Sequence, residues 1–247
     1  MHKHLHNLIT LLGSLNDYTR TQAAYVLQNL SNSTSEVQQR MIDAAAIEYL
    51  TQLTANASDH SKIPAITTLY HLSFGAEAVK VRMVPCITHV VQFLSDPFEG
   101  VSPKAVKILQ NLALDSRERQ AAIVKCNPIP LFHKLFVKNT HDIALINTLA
   151  ALASLSDDVR KDIDKNDVIR LVVDTLKAAT PEKNPDYRLA SAAANVITAL
   201  ANGPDSVRKS IIKSGGVQCL VGLLAVNDHD LMFNCTTDVF LFSRLMC

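Results

Sequence analysis

Along this chain a small or apolar residue is followed four positions later by a bulky apolar one, and three positions after that by another. The triad returns six times, as Ala23/Leu27/Leu30, Ala65/Leu69/Leu72, Ala105/Leu109/Leu112, Leu145/Leu149/Leu152, Ala193/Ile197/Leu200 and Cys235/Val239/Phe242, each followed by Ser or Ala. Steps of four and three keep every member on one face of an α-helix. The closing members lie 42, 40, 40, 48 and 42 residues apart, close to the period of roughly 40–47 residues that marks certain stacked helical repeats. One such unit cannot cover its own apolar stripe, so neighbouring units must stack, and the expected fold is all-α.

The residues between triads supply the rest of the unit. In the third unit Ile87, Val90, Val91 and Leu94 have the spacing of a helix with one apolar face. Ser95-Asp96-Pro97 and Glu99-Gly100 break it. Ser102-Pro103 then predicts a new start, with Ser102 as N-cap and Pro103 in the first turn, where its missing N–H costs nothing. That helix carries the triad; after Asp115-Ser116 a short helix leads to Asn127-Pro128. Ile169, Val172, Val173 and Leu176 repeat the first helix in the fifth unit, as do Val217, Leu220, Leu223 and Leu224 in the sixth. Short linking helices are expected over 37–42, 79–84, 159–163 and 207–212. The predicted repeats are 1–43, 44–85, 86–126, 127–166, 167–214 and 215–247, one solenoid with incomplete first and last units.

The ends and one spacing depart from the rule. Leu5, Leu8, Ile9 and Leu12 form a helix with no short helix before it, and Phe240, Leu241, Phe242 and Leu245 leave the last helix apolar on several sides. Terminal repeats need polar caps, so either a longer solenoid or end-to-end self-association is expected. The 48-residue step is taken up by 178–186, whose two prolines and charged residues predict an exposed loop.

Composition narrows the function. The 247 residues are 48% hydrophobic, enough for a continuous core. Lys plus Arg numbers 24 against 23 for Asp plus Glu, so only a local patch could favour nucleic acid or a membrane surface, and neither is expected as a partner. The glycines form no phosphate-binding loop, and Cys86, Cys126, Cys219, Cys235 and Cys247 have neither C-x-x-C pairing nor metal-ligand spacing with histidine. His2, His4 and His6 alternate, but only the outer two would share a helical face and no Cys or Asp cluster follows, so no metal and no cofactor is expected. His71 has no local nucleophile beside it, and an enzyme is not expected. No apolar run reaches the roughly 18 residues of a membrane span, and the first ten residues lack the apolar core of a signal peptide. The expected compartment is the cytoplasm, with the nucleus as a second site.

Ser-Gly-Gly-Val-Gln-Cys-Leu-Val-Gly-Leu-Leu (214–224) resembles the opening of an armadillo repeat, and 26–31 and 108–113, with Asn-Leu-Ser and Asn-Leu-Ala, resemble its third-helix ending. The resemblance covers nearly the whole chain and implies a right-handed α-α superhelix. Residues 65–72 and 231–235 resemble the β-catenin and plakoglobin branch, which implies a signalling or cell-adhesion scaffold. In armadillo proteins the third helices line a groove that holds an extended peptide. The position before each closing triad member is Asn29, His71, Asn111, Ala151, Ala199 and Leu241; five before are Tyr25, Thr67, Lys107, Asn147, Asn195 and Thr237. These two positions share a helical face and make a ladder from unit to unit.

An asparagine amide can donate to a peptide carbonyl and accept from its N–H, and so fix a backbone without reading side chains. Asn29 and Asn111 occupy the family's peptide-clamping position. Lys104 and Lys107 join Asn111 in a basic spot on the third unit, and Arg188 extends the face that holds Asn195. The importin-α branch places tryptophans one turn before its asparagines to receive basic signals; this chain has no Trp and a lysine in that series. The expected partner is an acidic or mixed extended segment. The alternative is a transport or chaperone-type adaptor, and a third reading is a structural segment with an unused groove.

Overall fold

The computed structural model describes residues 2–56, 59–180 and 185–224. Every regular element among them is helical, and the chain divides into two compact units, Met1–Cys126 and Asn127–Cys247.

Unit 1 begins with α1 (His2–Thr10) and a 3₁₀ turn at Leu11–Gly13, followed by α2 (Asp17–Ser31) and α3 (Ser35–Asp43). The order returns as α4 (Ala46–Asn56), α5 (Asp59–Ser73) and α6 (Glu77–Arg82), then as α7 (Ile87–Phe93), α8 (Val101–Ala113) and α9 (Arg117–Lys125). The long triad helices stack side by side, α2 on α5 and α5 on α8, while α4 and α7 back them. Every triad residue of the unit is buried except Leu30, which is half-buried.

Unit 2 contains α10 (Ile129–Lys138), α11 (Ile143–Ala153), α12 (Asp157–Lys165), α13 (Val168–Ala179), α14 (Tyr187–Ala201), α15 (Asp205–Lys213) and α16 (Gly216–Leu224). Here α11 packs on α14 and α13 backs α14, with both triads buried. The sixth triad, and with it Thr237 and Leu241, lies outside the described residues. So does the middle of the long insertion, whose described ends are tied together: the Asp186 N–H donates to the Ala179 carbonyl at 2.8 Å. The Asp186 carboxylate then caps α14 by accepting from the Leu189 N–H at 3.1 Å.

Local chemistry explains the starts and stops. Asn16, Asp142 and Asp186 cap the triad helices α2, α11 and α14, and Thr34, Ser116 and Ser156 cap the short helices α3, α9 and α12. The third repeat differs from expectation. Its triad helix starts at Val101, with Gly100 at φ 91° as N-cap, so Ser102 lies inside the first turn. Val101 is fully buried; its packing draws the helix start back, and Pro103 still sits where no N–H is needed. The turn from short helix to next unit uses a left-handed residue four times, Ala45 (φ 62°), Asn127 (φ 52°), Asp167 (φ 58°) and Gly215 (φ 85°). In the second repeat a 3₁₀ turn, Val84–Cys86, containing Pro85, replaces it.

Side chains from the short helices close the triad helices at their C-terminal ends, where carbonyls lack helical partners. Gln38 Nε2 donates to the Ser31 carbonyl at 2.8 Å, and Gln120 Nε2 to the Ala113 carbonyl at 2.9 Å. Arg119, almost wholly buried, donates to the carbonyls of Leu112 (2.7 Å) and Leu114 (3.1 Å) and pairs with Glu77 of the preceding repeat. The Arg119 hydrogen bond, reinforced by the Arg119 and Lys80 charges, holds the Glu77 carboxyl below its ordinary value.

Candidate binding face on the triad helices

In unit 1 the ladder residues fall into two kinds. Tyr25 and Asn29 on α2 are exposed, Lys107 on α8 is exposed and Lys104 is half-buried. None of the four makes a side-chain hydrogen bond or ion pair among the described residues. The others are engaged within the protein. The Thr67 hydroxyl donates to the Ile63 carbonyl at 2.6 Å. His71 Nδ1 and Ser31 Oγ share a hydrogen bond of 2.9 Å across 40 residues, and Asn111 Nδ2 donates to Ser73 Oγ at 2.8 Å across 38. Asn111 is buried, so at least one hydrogen of its amide is committed to the stack.

These two hydrogen bonds are the same device in successive repeats. The serine that follows one triad meets the residue just before the closing member of the next. Where alanine follows the triad, as at Ala153 in unit 2, the corresponding residue of the next repeat is Ala199. A polar residue at this rung of the ladder thus occurs with a serine one repeat earlier.

Two residues outside the ladder count complete this face, Tyr70 on α5 and Phe74 immediately after it. Their rings meet edge to face with centroids 4.9 Å apart, and Lys107 Nζ lies 5.8 Å from the Tyr70 ring centroid. Phe74 is exposed and Tyr70 half-buried. A sequence signal for them exists: two aromatics four apart at the C-terminal end of a triad helix share one face. Burial, and next the Lys107 charge, hold the Lys104 ammonium below its ordinary value. The α5–α8 surface therefore presents two cations that repel each other, Lys107 beside the Tyr70 ring, and among the described residues no carboxylate is paired to either.

In unit 2, Asn195 and Arg188 on α14 are exposed and Asn147 on α11 is half-buried. The three share the α11–α14 layer without hydrogen bonds or ion pairs to one another. No group of three or more metal-ligating side chains occurs among the described residues, and no described helix is long and apolar enough to cross a membrane. Burial, then the Glu48 charge, push the Cys86 thiol up to about 12, so it is not a poised nucleophile.

No family model and no curated protein matches the chain. Solved structures do. A computationally designed armadillo repeat protein for modular peptide recognition superposes with a TM-score of 0.85 at 16% identity, covering 96% of this chain and 99% of that one. A designed armadillo repeat protein in complex with the peptide (KR)4 gives 0.82 at 18% identity over 96% and 99%. An engineered protein gives 0.83 at 22% identity over 98% and 97%. At such identities the likeness concerns fold, and the fold is the armadillo type implied by the resemblance of residues 26–31, 108–113 and 214–224.

Proposed function

We propose that this chain is a non-enzymatic scaffold that holds an extended, acidic or mixed peptide segment of a partner protein across α2, α5 and α8, in a signalling or cell-adhesion setting. The observation that carries the reading is the Lys104/Lys107 pair without a carboxylate partner, Lys107 lying over the Tyr70 ring, on a triad helix of the same stack as the uncommitted Tyr25 and Asn29. An anion placed there relieves the repulsion between the lysines, and Asn29 offers a donor and an acceptor to a peptide backbone. The fold is shared with designed proteins made for peptide recognition. A basic ligand of the (KR)4 kind, bound by one of them, is disfavoured here by charge.

The test compares acidic and basic extended peptides by fluorescence anisotropy against the wild type and the Lys104→Ala/Lys107→Ala double variant. Acidic peptides bind the wild type, and the double variant weakens them about tenfold, the effect of losing two partly screened charge contacts. Equal binding of basic peptides, or unchanged affinity in the variant, removes the reading. Asn111→Ala is a poor probe, because it breaks a buried hydrogen bond as well as any ligand contact.

A further inference from the structure

A serine hydroxyl has one hydrogen to give, and at the repeat joints of unit 1 its destination is fixed. Ser31 Oγ lies 2.7 Å from the Gln28 carbonyl oxygen of its own helix, and Ser73 Oγ 2.6 Å from that of Tyr70. Two oxygens so close need a hydrogen between them, so each hydroxyl donates back along its helix and keeps only lone pairs for the next repeat. In the third repeat the partner is accordingly a donor, the Asn111 amide nitrogen on Ser73. In the second repeat it is His71 Nδ1, 2.9 Å from the buried Ser31 Oγ. Nδ1 is therefore the donor, and a neutral His71 carries its proton there.

Nε2 is left with a lone pair and no hydrogen. It has no hydrogen-bond partner among the described residues, whose buried unpaired side-chain atoms are Arg20 Nε, Gln28 Oε1 and Arg208 Nε, so Nε2 reaches solvent. The two nitrogens of an imidazole point in divergent directions, and Nε2 faces away from Ser31. The ring adjoins the basic spot: its centroid is 5.9 Å from that of Tyr70, and Lys107 Nζ is 5.8 Å from the Tyr70 centroid. An extended segment anchored on Lys107 spans the distance to His71 within about four residues. We infer that Ser31 is a positioning residue that locks His71 in its Nδ1–H form and so makes Nε2 an acceptor for a main-chain N–H of the bound peptide. The inference rests on the peptide-binding reading and adds to it a rung that only accepts, whereas the Asn29 amide both accepts and donates. An unconstrained imidazole prefers its proton on Nε2, so without Ser31 the ring offers a donor instead. The lock sets the polarity of the contact: a carboxylate has no hydrogen for Nε2 and goes to the lysines, and the peptide N–H goes to His71.

Two measurements at about pH 8.5, above the usual range of imidazole titration, test the two halves. In the free full chain, two-bond ¹H–¹⁵N correlation spectra distinguish the protonated from the bare ring nitrogen, and the His71 signals are those missing from His71→Asn. Wild type should show the Nδ1–H form, and Ser31→Ala should shift toward Nε2–H. An Nε2–H wild type, or a form that Ser31→Ala leaves unchanged, overturns the inference whether or not a peptide binds. The second measurement is anisotropy titration with an acidic peptide and its singly N-methylated versions. His71→Asn keeps the joint, as Asn111 does with Ser73, but lacks Nε2; it should melt like wild type and bind about five- to tenfold more weakly, the effect of one hydrogen bond. Ser31→Ala, which retains the ring, should weaken the same peptide. One N-methylation should weaken binding to wild type and leave binding to His71→Asn nearly unchanged. Wild-type affinity in His71→Asn, or the same N-methylation losses in both proteins, overturns the inference. If wild type binds no acidic peptide, the functional reading fails and the ligand half falls with it; the spectra tell that failure from one at Ser31.

Discussion

Ala45 sits at φ 62° in the turn between α3 and α4, a conformation that costs a residue with a Cβ about 1–2 kcal/mol. The same turn is made by Asn127, Asp167 and Gly215, residue types for which the cost is smaller. Ala45→Gly is therefore expected to stabilise the protein by about 0.5–1 kcal/mol, after allowing for the larger unfolded-state entropy of glycine. Asn127→Gly should move stability less. Urea unfolding midpoints at constant m-value measure both. A second residue-scale test concerns Ser73. Its replacement by Ala leaves the buried Asn111 amide without its acceptor, at a cost of about 1–2 kcal/mol. Ser73→Ala combined with Asn111→Ala should recover part of the loss, because the Ala153/Ala199 pair shows that an apolar version of the rung packs well.

At the scale of elements, α9 is joined to α6 and to the end of α8 through Arg119. Glu77 has a folded-state value below its ordinary 4.5. A carboxyl lowered in this way stabilises the fold fully above its unfolded value and loses that contribution as pH falls through its folded value. Wild type should thus lose stability on acidification over that window, and Glu77→Gln should flatten this part of the profile. Thermal melting between neutral pH and about pH 3 checks it; parallel profiles would remove Glu77 from the acid response. Elements were also the level most legible in the sequence. The triads mark buried helical faces because burial imposes the four-and-three spacing. The start of α8 was not legible, since the burial of Val101 outweighs the N-cap chemistry of Ser102. Nor was the commitment of Asn111 and His71: their partners Ser73 and Ser31 lie about a repeat away, and only stacking brings them together. The ladder count likewise passes over Tyr70 and Phe74, which matter through the position of Lys107 on a different helix.

At the scale of the molecule, unit 1 has its own core, its own triad stack and every residue of the proposed acidic-peptide face. Stability in repeat arrays is close to a sum of unit and nearest-neighbour contributions. A fragment comprising residues 1–126 is therefore expected to fold cooperatively and to keep most of the affinity for an acidic peptide. Circular dichroism with denaturant and anisotropy titration test the two halves of that statement separately. A helical fragment that fails to bind would place the contact residues beyond the first three repeats.

The Ser31–His71 and Ser73–Asn111 hydrogen bonds also carry positional information. Each repeat bears a mark on one side that must agree with the mark on its predecessor: serine is followed by a polar rung, alanine by an apolar one. Transplanting the second repeat to follow the fourth would set His71 against Ala153 and strand its ring nitrogen. Repeats that look interchangeable by length and hydrophobic pattern are in this respect keyed, and within unit 1 the order of modules is written in a pair of side chains at each joint.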